Sequence, residues 1–276
     1  MVDRAQSAVE QRGSVVGLAT LSYLRAWPDF FAGPIAEAAA DAESALDARR
    51  FGWQLYAVAA ATVLAHARLE QGDIAGAENA LAQVDPPGKG PVGTESAMLL
   101  NARARVHLAR GNPAGALRDL LVTGHLLSEA GVATRPIPWR SEAALAARAT
   151  GDDRQARQLA AAQLVVARRS GTGRHVGMAL RTQGLVVGGR QGEALLAEAV
   201  NALEHSESRL ERVRALIDWG AALRRAGRRP EARKALEEGN DLAHRFGACV
   251  LAGKATASCG PSGCGRAAHR RWGPVP

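Results

Sequence analysis

Between residues 215 and 243, apolar and polar positions follow a helical period, break once, and resume. Ala215 to Ala226 reads ALIDWGAALRRA, which puts Leu216, Trp219, Gly220 and Leu223 on one side of a helix. Gly227 ends that helix, as a residue that tolerates the left-handed conformation does. Pro230 suits the first turn of the next helix, where its missing N–H is no loss. The second helix then presents Ala232, Leu236, Gly239 and Ala243 to the first. The segment predicts a helix hairpin.

The same hairpin recurs. Gly33, Gly72, Gly111, Gly151, Gly189 and Gly227 lie 38 to 40 residues apart, and an alanine follows each after five positions: Ala38, Ala77, Ala116, Ala156, Ala194 and Ala232. A fixed period of this size marks stacked repeats. The pattern predicts an all-α fold, a right-handed superhelical solenoid of about six helix hairpins. The alanine is expected where the second helix crosses the first, because a larger side chain would push the two backbones apart. Asp73, Asn112 and Asp152 follow their glycines directly, where a side-chain oxygen caps the second helix. Repeat five departs: Arg190 follows Gly189 and Gly192 intervenes, which predicts a shorter second helix. Repeat one, through Trp27, Pro28 and Gly33, is the least regular and is expected to form a frayed cap. Asp85 to Thr94 (DPPGKGPVGT) and Gly131 to Pro138 (GVATRPIP) read as turns between units. One helical domain over residues 1–248 and an irregular tail over 249–276 complete the expected layout. Tandem hairpins of this kind predict an elongated molecule that docks partners.

Composition changes the picture little. Aromatic residues make up 4% of the chain, and its formal charge is +8. Four of the positive residues, Lys254, Arg266, Arg270 and Arg271, lie beyond the repeats, so the helical body is only mildly basic. A solvated surface of mixed charge is expected there, not a nucleic-acid footprint. The opening MVDRAQSAVEQRG is charged and lacks the apolar segment of a secretory signal. The strongest apolar stretch, Ala57 to Ala65, is too short to cross a bilayer. Cys249, Cys259 and Cys264 all lie near the end, leaving the body free of disulfides. A cytoplasmic protein without membrane association is expected.

W-G-x-x-L at Trp219 to Leu223, followed by Ala232, Leu236 and Gly239, resembles the tetratricopeptide repeat, although the period here exceeds that family's usual figure of about 34 residues. A more specific resemblance rests on Trp139 to Arg168 (WRSEAALAARATGDDRQARQLAAAQLVVAR), Leu180 to Gly189 (LRTQGLVVGG), Ala194 to Leu236 and Asp241 to Ala248 (DLAHRFGA). Over about residues 40 to 248 the chain is similar to the helical-repeat region of the large ATP-binding LuxR-type transcriptional regulators. The resemblance implies an N-terminal ATPase module, a helical sensor or protein-interaction segment, and a C-terminal helix-turn-helix that binds DNA. Neither outer module is visible. No G-x-x-x-x-G-K-[ST] phosphate loop occurs, and Gly88-Lys89-Gly90 runs into proline. Family-like sequence stops near Cys249, and the Gly-, Ser-, Cys-, Pro- and Arg-rich tail reads as the product of a frameshift or another truncation.

Candidate chemistry is sparse. Cys259, Cys264 and His269 are spaced by five, unlike the close pairs that bind zinc, so exposed thiols and no metal site are expected. His66, His107, His125, His175, His205, His244 and His269 are scattered, and no serine has a nucleophile-elbow context. No enzyme activity and no cofactor are expected. If the hairpins stack as tetratricopeptide repeats do, the first helices line a concave face. Its outward positions are His66, Asn101, Arg105, Arg148, Gln183, Arg214 and Arg224. Arginine's planar fork suits carboxylate or phosphate, so these residues are candidates for holding an acidic peptide, another protein partner or a small anionic effector, although plain solvation is the simpler reading of them. Two functions follow. The first is the regulatory, protein-interaction segment of a LuxR-type regulator, which alone is not expected to bind DNA. The second is a free-standing tetratricopeptide-like adaptor.

Overall fold

The hairpins begin with one backbone device used four times. Gly72, Gly111, Gly151 and Gly227 take φ of 88°, 71°, 87° and 80°. The next residue then reaches back to a carbonyl of the last helical turn: Asp73 N–H to Arg68 O (2.8 Å), Asn112 to His107 (2.8 Å), Asp152 to Ala147 (2.9 Å) and Arg228 to Leu223 (3.0 Å). This bond closes a Schellman motif, which only a left-handed residue permits without strain. Asp73, Asn112 and Asp152 also open the following helix, their side chains accepting from the N–H groups of Gly76, Gly115 and Gln155 at 2.8, 3.0 and 2.8 Å. A single residue thus ends one helix and starts the next, which folds the pair back antiparallel.

The computed structural model describes residues 14–84, 93–131 and 137–259, and every regular element among them is helical. The six hairpins are α1 (Val15–Ala32) with α2 (Ile35–Asp47), α3 (Ala57–Gln71) with α4 (Ile74–Ala82), and α5 (Gly93–Ala109) with α6 (Pro113–Glu129). They continue with α7 (Trp139–Ala149) and α8 (Asp153–Ser170), α9 (Gly173–Val187) and α10 (Gly189–Leu203), and α11 (Arg209–Arg225) and α12 (Arg229–Arg245). A last helix, α13 (Cys249–Cys259), follows. Most of each linker expected as a turn, residues 85–92 and 132–136, lies outside the described residues. No described helix is long and apolar enough to cross a membrane.

Five of the six periodic alanines sit at the crossings as expected: Ala38, Ala77, Ala116 and Ala156 have no exposed surface and Ala232 almost none. Ala194 does not; it is exposed. In repeat five Gly188, with φ of 66°, serves both as the end of α9 and as the N-cap of α10, so the turn is one residue tighter. The crossing position, four residues after the N-cap, therefore falls on Gly192. There the backbones come so close that a Cβ on Gly192 would stand 2.4 Å from the carbonyl oxygen of Gly184. Helix α10 has 15 residues against 17 in α6 and 18 in α8, although α4, with 9, is shorter still.

Two other expectations fail together. Repeat one is a regular hairpin, not a frayed cap, because the far end of the chain packs on it. The Ile35 N–H donates to the Phe246 carbonyl at 3.3 Å. Gly33 lies so near the Phe246 ring that a Cβ would be 2.6 Å from it. The expected irregular tail also begins as structure: Cys249–Cys259 is helical, with Leu251, Ala252 and Ala255 buried against α3, α11 and α12. Residues 260–276, with Cys264 and His269, lie outside the described residues. One hydrophobic cluster includes Phe30, Ile35, Trp53 and Leu64 from the first repeats and Val213, Ile217, Leu251 and Ala255 from the last. The solenoid closes on itself and is not an open, elongated rod. Alanine-rich inner helices such as α3, whose Ala60, Ala61, Ala65 and Ala67 are fully or almost fully buried, bring neighbouring hairpins close enough for this curvature.

Candidate functional site: the interior chambers of the closed solenoid

The first helices of the hairpins face inward and place charges where the ring has closed. Two chambers result. The larger, of about 540 Å3, is lined by Glu70, Arg105, Glu142, Arg181, Glu211 and Arg214, with Val250, Leu251 and Lys254 of α13 on one side. Its charges are paired across helices. Arg105 donates to Glu142 at 2.8 Å, and Asn101 donates to the other oxygen of the same carboxylate at 2.8 Å. Arg181 Nε donates to Asp218 at 2.5 Å. Arg214 holds Glu211 at 2.5 Å and also Glu70, tying the second repeat to the sixth.

Burial sets the electrostatics. Glu211 is only 5% exposed. Burial alone would raise its pKa, but Arg214 first, and then Arg181, Arg105 and Arg174, hold it below the usual carboxylate range. The acids Glu211, Glu70 and Glu142 likewise outweigh burial at Arg214 and push its pKa up. His66, 4% exposed on α3, behaves oppositely. Burial, and then the positive charges of Arg105 and Arg214, keep its imidazole neutral far below the usual 6.5. Both of its ring nitrogens are buried without a hydrogen-bond partner among the described residues.

His66, Arg105 and Glu211 also form a wall of the second chamber, of about 380 Å3. Its other walls are largely apolar: Tyr23, Trp27, Phe30 and Phe31 of α1, with Met98, Leu127 and Ile137 opposite. One further charge enters it. Arg174, near the start of α9, lays its guanidinium over the Phe31 ring 3.6 Å from the centroid, and Phe31 stacks on Trp27 at 5.3 Å. Arg174 makes no ion pair among the described residues, and its Nε is buried without a partner. Burial lowers its pKa, against the pull of Glu211 and with the push of Arg105 and Arg214.

Four of the seven positions expected on a concave face meet here: His66, Asn101, Arg105 and Arg214. The other three do not. Arg148 is exposed and donates to the Leu185 carbonyl. Arg224 is exposed and donates to the Ser258 carbonyl, binding α11 to α13. Gln183 is half-buried and lines neither chamber. Sequence reasoning missed the acids Glu70, Glu142 and Glu211, the arginines Arg174 and Arg181, and the aromatic wall. One signal was present: Arg105 and Glu142, and Arg181 and Asp218, are opposite charges 37 residues apart, just under one repeat length. Among the described residues no cluster of three or more His, Cys, Asp or Glu side chains is placed to hold a metal ion.

No family model and no curated protein matches the chain. Solved structures do. The chain is similar to the signal transduction ATPase with numerous domains (STAND) protein with a tetratricopeptide repeat sensor from Pyrococcus horikoshii, at 15% identity and a TM-score of 0.59. That match covers 91% of this chain and 38% of the Pyrococcus protein, so the chain spans little more than a third of that protein's length. BtubC from P. vanneervenii is similar at 18% identity and a TM-score of 0.50, over 79% of this chain and 91% of BtubC. At these identities the likeness is one of fold: a tetratricopeptide-like helical repeat.

Proposed function

We propose that this chain is the sensing and docking region of a LuxR-type transcriptional regulator, and that it catalyses no reaction. One observation carries the reading: the ring closes around its chambers through Arg214 and Glu70, so an occupant of the larger one touches the second and sixth repeats at once. A ligand or protein segment that fits the closed ring better than an opened one shifts that balance, and attached modules sense the shift. The Pyrococcus protein, an ATPase whose repeats are described as a sensor, supports this arrangement by analogy of fold. DNA binding then belongs to a separate helix-turn-helix module.

Resequencing the locus tests the assignment. ATPase and LuxR-type helix-turn-helix modules encoded beside the chain, in its own or a neighbouring frame, are the expected result. Intact unrelated genes on both sides would overturn it. An electrophoretic shift assay is expected to show no salt-resistant, sequence-selective DNA binding by the chain alone. The second reading, a cytoplasmic adaptor that stands by itself, draws support from BtubC, nearly all of whose chain is matched.

A further inference from the structure

We propose that the aromatic chamber binds a small carboxylic acid with a flat apolar body, its carboxylate held by Arg174. The inference deepens the sensor reading, on which it rests for the chamber's role, by naming the class of ligand. Three observations bear on it.

The first is charge left over after pairing. Arg105, Arg181 and Arg214 each have an acid within 2.5 Å or less, whereas Arg174 has none within ion-pair distance among the described residues. Arg174 is half-buried and its Nε is buried and unpartnered, an incomplete arrangement that an anion completes. The second is orientation. Stacking on Phe31 occupies the flat face of the guanidinium, and Trp27 backs Phe31 in turn. The in-plane N–H edge stays available, which is the edge that grips a carboxylate with two parallel hydrogen bonds. The third is shape. About 380 Å3 walled by Tyr23, Trp27, Phe30, Met98, Leu127 and Ile137 suits one or two fused rings, near the low end of ordinary ligand cavities.

An aromatic wall also suits a quaternary or primary ammonium ion. Here Arg174 already sits on the Phe31 ring, and the other two charges that border the space are each paired, Arg105 with Glu142 and Glu211 with Arg214, so the positive charge left over favours an anion above a cation. His66, kept neutral, offers one donor and one acceptor nitrogen to a polar substituent of the ligand. Trp27, Phe31 and Arg174 also line an outer cleft of about 1290 Å3, so Arg174 borders both the chamber and that cleft.

Calorimetric titration of the full chain with indole-3-acetate, indole-3-acetamide and tryptamine separates these cases, because the three share a ring and differ in charge. The acetate is expected to bind roughly tenfold or more tightly than the amide, and tryptamine weakest. Arg174→Met should bring the acetate down to the affinity of the amide while leaving the amide unchanged, and Arg174→Lys should retain part of the difference. Failure of all three probes to bind, equal affinities, a preference for tryptamine, or an undiminished acetate preference in Arg174→Met would each overturn the proposal. Should Arg174→Met fail to fold, the charge series on the unaltered chain and on Arg174→Lys still decides. No transcriptional readout enters, so a negative result leaves the regulator assignment standing. Loss of that assignment leaves the measured charge preference standing in turn.

Discussion

Arg214 and Arg174 come from neighbouring inner helices, α11 and α9, and both reach into the closed interior, yet their surroundings differ. Arg214 is held between Glu70 and Glu211, which makes its charge part of the architecture. Arg174 lies on an aromatic ring with no acid at ion-pair distance among the described residues. A buried charge met by countercharges locks elements together; one left without them is poised for something that arrives from outside. The comparison separates the residues that build the ring from the residue best placed to read its contents.

The largest test acts on that contrast. Arg214→Met strands two carboxylates in the interior, and urea denaturation should show a loss of about 3–5 kcal/mol. Arg174→Met gives up a stacking contact but also relieves a desolvation cost, so its stability should stay within about 1 kcal/mol of the parent. Equal losses at both positions would erase the distinction.

A second contrast lies between two alanines that share one sequence register. Ala232→Trp overpacks a buried helix crossing and should cost about 1–3 kcal/mol or more, read as a lowered melting temperature. Ala194→Trp lies on the surface and should stay within about 0.5 kcal/mol. A large effect at Ala194 would return the crossing to the position that the plain period assigns.

Acidification compares His66 with Glu211. The unfolded chain takes up a proton at His66 near pH 6.5, whereas the folded chain resists it to far lower pH. The unfolded state therefore binds more protons below 6.5, and stability should fall by up to about 1.4 kcal/mol for each pH unit below that value. His66→Phe should flatten this slope. Glu211 contributes later: its folded pKa is depressed, so its stabilisation is full above the ordinary 4.5 and disappears as pH falls through the depressed value. A stability curve with no slope between pH 6.5 and 5 would contradict a neutral buried His66.

Much of the hairpin architecture was legible, and the reason is local. Gly72, Gly111, Gly151 and Gly227 are needed by a turn whose bonds join residues five apart, and the caps Asp73, Asn112 and Asp152 act over three. Repeat five defeated a simple count because Gly188 does the work of two residues, and the exposed Ala194 kept the period by coincidence. Helix α13 was missed because its buried positions are Leu251, Ala252 and Ala255, mostly too small to stand out as an apolar face. The site was half legible. His66, Asn101, Arg105 and Arg214 were placed on the inner helices, but their partners were not.

Hairpins, caps and inward-facing polar positions follow from the order of residues alone, since each depends on neighbours within one or two helical turns. Closure of the ring, the Arg214–Glu70 bond across 144 residues, and the isolation of Arg174 depend on the summed rotation of six packed units. Each joint adds a small angle set by side-chain volumes, and no stretch of sequence encodes their sum. It is that sum which converts an open groove into two part-open chambers and sorts the arginines that line them into those paired with an acid among the described residues and Arg174, which is not.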